Sequence, residues 1–113
     1  MISSAATVFA PVDHVRFKVE LSYGGYSNRM DFLLKREKIV VEAKMARKGL
    51  DQKAILQELT EDIERYRSHQ DCKTLICFVY DPSGYCKNPV ALESDLGGQR
   101  DTLKVIVHVL PKP

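Results

Sequence analysis

The chain has 113 residues, 44% of them hydrophobic, and carries 17 Lys and Arg against 15 Asp and Glu for a net charge of +2. That length and apolar content suit one globular domain with a single core, and no stretch approaches the ~20 apolar residues of a membrane-spanning helix. The mild basic balance identifies no partner by bulk charge, and three cysteines without paired or Cys/His spacing exclude a zinc site and a disulfide framework.

Residues 1–14 are small and mildly polar with a proline at position 11, which reads as a flexible lead-in to a domain spanning 15–113. The opening has no basic flank and too short an apolar run for a signal peptide, and the free cysteines suit a reducing cytoplasm. Val15-Arg-Phe-Lys-Val-Glu-Leu21 alternates strictly between apolar and charged residues, the pattern of a half-buried antiparallel strand. Glu20 stands on its polar side as a candidate accessory ligand to whatever follows. Tyr23-Gly-Gly-Tyr26 and Ser27-Asn28 read as a loop. Tyr26 and Arg29 could touch nucleic acid there, by stacking and by phosphate contact.

Asp31-Phe-Leu-Leu and Ile39-Val-Val-Glu-Ala-Lys44 flank the charged tetrad Lys35-Arg-Glu-Lys38, which predicts a β-hairpin. Strand alternation sends Val40, Glu42 and Lys44 to one face and Val41 and Ala43 to the other. Asp31 opens the partner strand and reaches the same end, so a carboxylate pair with a lysine beside it forms a candidate metal site. The competing reading is a cross-strand salt bridge. Arg47 and Lys48 follow immediately and are candidate phosphate contacts.

Asp51 suits the N-cap of a long helix over 52–69, whose apolar stripe runs through Ile55, Leu59 and Ile63. Thr74-Leu-Ile-Cys-Phe-Val-Tyr80 is a continuous apolar run, predicting a strand buried on both faces. Val90–Leu96 predicts a short helical turn ended by Gly97-Gly98, and Leu103–Leu110 a final strand. His108 alternates away from its apolar neighbours and has no second histidine close in sequence, so it is assigned a structural role. The order gives an α/β domain with a mixed central sheet of about five strands and one long helix packed on it.

An Asp, ten residues, then Glu-x-Lys resembles the core motif of the PD-(D/E)xK nuclease superfamily. Ser22-Tyr-Gly-Gly-Tyr-Ser-Asn-Arg-Met-Asp31, Val41-Glu-Ala-Lys44, Glu61-Asp-Ile-Glu-Arg-Tyr66, Cys77-Phe-Val-Tyr-Asp-Pro82 and Asn88-Pro89 are similar to the branch of GATC-cutting type II restriction endonucleases. The resemblance implies a restriction-endonuclease-like fold and a Mg²⁺-dependent DNA endonuclease in which Mn²⁺ can substitute. Asp31, Glu42 and the Ala43 carbonyl would hold the ion, with Lys44 as the catalytic lysine. It also places Gln57 or Glu58 toward the site, since several branches carry a Gln on this helix. The alternative is a non-catalytic nucleic-acid-binding or assembly module that keeps the fold. Family cores usually open with a helix that is not evident before Val15. The chain is therefore expected to be the C-terminal part of a longer protein; separately, restriction-type cutting of both strands needs two active sites, which implies a homodimer. Nothing in these motifs transfers a sequence preference.

Overall fold

The computed structural model describes the backbone of residues 5–12, 15–22 and 28–112, and the side chains of residues 31–112. Four strands between residues 5 and 45 build an antiparallel meander. It comprises β1 (Ala5–Val12), β2 (Val15–Ser22), β3 (Asn28–Leu34) and β4 (Ile39–Met45). Beyond β4 the period changes from two to 3.6 and back. The resulting elements are α1 (Gln52–Arg67), β5 (Thr74–Tyr80), α2 (Pro89–Leu96), β6 (Gly98–Arg100) and β7 (Leu103–Leu110). The strands form one mixed sheet in the order β1-β2-β3-β4-β5-β7-β6, parallel from β4 through β5 to β7 and antiparallel elsewhere.

The expected α/β architecture is present, with seven strands where about five were predicted. One extra strand is β1, in residues read as flexible lead-in; it pairs with β2 from Ala5↔Ser22 to Val12↔Val15. Pro11 does not bar it, because β1 lies at the sheet edge, where a missing N–H need break no ladder bond. The other is β6, three residues long and too short to show a period.

Both helices start where the capping chemistry places them. Asp51 accepts a hydrogen bond from the Ala54 N–H at 3.2 Å, and Asn88 accepts from Ala91 N–H at 3.1 Å with Pro89 in the first turn of α2. The long helix ends at Arg67, two residues short of the predicted boundary. Its buried side, Ile55, Leu59 and Ile63, covers Val40 of β4, Leu75, Cys77 and Val79 of β5 and the inward residues of β7; Leu92 and Leu96 of α2 complete the core.

Burial on β5 alternates, so the expectation that both its faces are enclosed does not hold. Leu75, Cys77 and Val79 are buried, whereas Ile76 and Phe78 on the other face are half-buried. The reason is topological. β4, β5 and β7 advance in one direction across the sheet, and crossovers of one hand then deliver α1 and α2 to the same face. His108 lies on the open face, stacked on Phe78 with ring centroids 5.8 Å apart. Leu59 is fully buried between α1 and the sheet. Leu59→Ala is expected to cost about 2–5 kcal/mol, readable as a lowered urea midpoint with an unchanged slope; a loss below about 1 kcal/mol would place Leu59 outside the core.

Candidate active site

Register assembles the site. Asp31 on β3 lies directly opposite Glu42 on β4, and side chains opposite each other on neighbouring strands share a face. Lys44 is two residues further along β4, so the pleat returns it to that face. All three are buried: Asp31 is 6% exposed, Glu42 0% and Lys44 7%. They lie under α1, whereas Ala43 faces the other way and is half-buried, in register with Met30 on β3 and Phe78 on β5.

Charge at this depth is costly unless it is compensated, and here the compensation comes from the helix. Lys44 Nζ is 3.0 Å from Glu58 Oε1, 3.1 Å from Asp62 Oδ2 and 3.7 Å from Glu42 Oε1. Arg65 Nη2 reaches the second oxygen of Asp62 at 2.9 Å and lies over the Tyr66 ring. From below, Cys77 Sγ on β5 directs its weak donor at Glu42 Oε2 over 3.9 Å.

These contacts divide the protons. Burial, then the hydrogen bond and charge of Asp62, push the Glu42 carboxyl up from 4.5 to about 8 against the pull of Lys44. Burial alone would lower Lys44, but the charges of Glu42 and Asp62, with the hydrogen bonds that Lys44 donates to Glu58 and Asp62, outweigh it and hold the ammonium above its ordinary 10.5. Asp62 is likewise opposed by burial, yet its contacts with Glu42, Lys44 and Arg65 hold it below 3.8. Without a metal, the site therefore combines a fixed cation, a fixed anion and a carboxyl that keeps its proton near neutrality.

Of the two helix candidates, Glu58 is brought to the site by its contact with Lys44, whereas Gln57 is exposed on α1. Arg47 and Lys48 occupy a tight turn directly after β4, closed by an Arg47↔Leu50 bridge and a left-handed Gly49 at φ +85°. Glu20 and Arg29 are in register with each other on β2 and β3. Their side chains, and all of Tyr26, lie outside the described residues. Sequence reasoning missed Asp62. The available signal was its spacing, four residues beyond Glu58 and therefore on the same helical side.

A loop caps the same end of the parallel strands. Asp81, just past β5, accepts from the N–H groups of Tyr85 and Cys86, each at 2.8 Å. Gln52 at the start of α1 both accepts from Asn88 N–H at 2.7 Å and donates to its carbonyl at 3.0 Å. In open α/β sheets, ligands approach at the carboxyl ends of the parallel strands, the end where Lys44 lies.

Mixed strand order, a β4-α1-β5 crossover and an acidic pair with a lysine on the covered face define a restriction-endonuclease-like α/β domain. The chain belongs to the DpnII-MboI restriction endonuclease family, whose model matches residues 6–112. No curated protein and no solved structure matches it. Membership makes it a nuclease-class hydrolase whose substrate is DNA. Type II restriction endonucleases generally use a divalent metal ion. Among the described residues, no group of three or more His, Cys, Asp or Glu side chains is gathered to hold one. The donor set nevertheless fits a hard cation, because two carboxylates stand opposite each other on one buried face. Among the described residues, no helix is long and apolar enough to cross a membrane.

Proposed function

We propose that the chain hydrolyses DNA phosphodiester bonds with Mg²⁺, or Mn²⁺ in its place, as a restriction-like enzyme acting in the cytoplasm against foreign DNA or in repair. The observation that carries this reading is that Asp31 and Glu42 stand opposite each other in register, with Lys44 two residues along on the same buried face. Asp31, Glu42 and the backbone carbonyl of Ala43 would hold the ion. A bound divalent ion supplies charge neutralisation at the scissile phosphate and a more acidic water.

Lys44 serves as a cation. Its carboxylate neighbours disfavour loss of the Nζ proton, so it stabilises negative charge developing on the phosphoryl oxygens and orients the attacking water. Glu58, with a side chain 46% exposed, is the contact most easily exchanged for a phosphate oxygen. Arg47 and Lys48 hold the flanking backbone by charge. Glu20 is an accessory ligand candidate, and Tyr26 and Arg29 are candidate contacts to the nucleic acid from the preceding loop. Cutting both strands calls for two such sites, hence a homodimer or a further domain.

The test is incubation of supercoiled plasmid with wild type, Asp31→Ala and Lys44→Ala in Mg²⁺ or Mn²⁺. Nicking or linearisation by wild type should disappear in both variants while their far-ultraviolet dichroism stays folded. If wild type leaves plasmid, linear duplex, single strands and RNA intact, the hydrolase reading fails. Salt-sensitive binding without cleavage, weakened by Arg47→Ala or Lys48→Ala, would then assign the chain as a non-catalytic binding module.

A further inference from the structure

We propose that Asp62 is the positioning residue for Lys44: a carboxylate on α1 that fixes, from the helix side, where the strand-borne ammonium sits. The inference rests on the hydrolase reading above and adds to it a residue outside the Asp, Glu-x-Lys motif.

Three observations single out Asp62. It is 4% exposed on a side of α1 otherwise made of Ile55, Leu59 and Ile63, where an ionised carboxylate is retained only if it is well paired. Its two oxygens are divided between two cations, Oδ2 toward Lys44 at 3.1 Å and Oδ1 toward Arg65 at 2.9 Å. The other carboxylates around Lys44 cannot play this part equally. Glu42 is 3.7 Å away, beyond hydrogen-bond reach, and Glu58 is on a half-exposed side chain that water or a phosphate can displace. Asp62 alone among these three contacts is both buried and within hydrogen-bond distance.

The geometry has a mechanical consequence. A lysine has four rotatable side-chain torsions, and a strand fixes only its Cα and initial direction. Asp62 removes the remaining freedom by pinning Nζ, while Arg65 holds Asp62 from the solvent side. Placing the cation within a fraction of an ångström matters because a 1 Å misplacement can cost about 100-fold in rate. Asp62 touches no reacting atom in this scheme; it acts through Lys44.

The experiment compares steady-state plasmid cleavage in Mg²⁺ by wild type, Asp62→Asn, Asp62→Glu and Glu64→Gln, with thermal melts and DNA binding in Ca²⁺ on the same preparations. Asp62→Asn removes the charge without changing shape, and Asp62→Glu keeps the charge but shifts it by one methylene. Glu64, exposed and paired with Arg67 on the same helix, is the control. Positioning predicts a kcat lower by about 10- to 100-fold in both Asp62 variants, with KM and DNA affinity within about twofold and the control at wild-type rate. If Asp62 only neutralises buried charge, Asp62→Glu retains wild-type kcat, and that result overturns the proposal. If Asp62→Asn does not fold, Asp62→Glu decides by the same criterion. An active wild type with undiminished Asp62 variants refutes the positioning role alone, whereas an inactive wild type refutes the hydrolase reading and the positioning role together.

Discussion

Lys44→Met is expected to destabilise the metal-free chain by about 3–5 kcal/mol, the range for breaking a buried ion pair by removing one partner. The substitution keeps most of the side chain's length and apolar stem and deletes only the ammonium. Asp62 is then left at 4% exposure without the buried ammonium beside it and with Arg65 as its remaining cation, while Glu58 can turn to water at little cost. Equilibrium unfolding in urea with EDTA checks this, and a loss below about 1 kcal/mol would mean that the carboxylates relax or protonate without strain. The same variant carries information about the ion. If a divalent cation uses these carboxylates, adding Mg²⁺ should stabilise Lys44→Met by linkage to binding. The result also conditions the cleavage assay, because a lysine variant that is partly unfolded would lose activity for the wrong reason.

Glu42→Gln should flatten the pH dependence of stability in the metal-free protein. The folded-state carboxyl of Glu42 titrates at about 8 against 4.5 for the ordinary group, so between those values the native state holds a proton that the unfolded chain has released. The sign follows from linkage: Glu42's contribution to stability is complete below pH 4.5 and is lost as pH rises toward 8. The slope is about 1.4 kcal/mol per pH unit where the proton difference is fully expressed. Other displaced groups act outside this window. Asp62 and Glu93 are lowered below their ordinary values and lose stabilisation only in more acidic solution. Lys44 is raised above 10.5, and Cys86 is pushed from 9.0 up to about 11, so both act at higher pH. Wild type in EDTA should therefore melt progressively lower from pH 5 to 8, while the glutamine variant, neutral throughout, loses most of that slope. Parallel curves would show that Glu42 is ionised in the fold at neutral pH.

Much of the site was legible because it is built on a period-two element. In Ile39–Met45, alternation alone groups Glu42 with Lys44, and the hairpin around Lys35–Lys38 leaves Asp31 opposite Glu42. α1 was equally accessible, its start marked by Asp51 and its buried side by Ile55, Leu59 and Ile63. Less was visible where local pattern carries no address. Gln57 and Glu58 are adjacent in sequence and about 100° apart around a helix, and only the docking of α1 decides which of them meets Lys44. β1 escaped notice because small residues with a proline resemble an unstructured lead-in until a partner strand is in place.

By itself, the sequence determined both helices, the strands other than β1 and β6, the shared face of Asp31, Glu42 and Lys44, and the family to which those motifs belong. The tertiary structure alone decided that both crossovers cover one face of the sheet and that Asp62 meets Lys44. It also decided that Glu42 is buried deeply enough to keep its proton near neutral pH. The physical reason is range: side-chain alternation and capping act within a few residues, whereas burial and charge pairing depend on how α1 packs across strands that are distant from it in sequence.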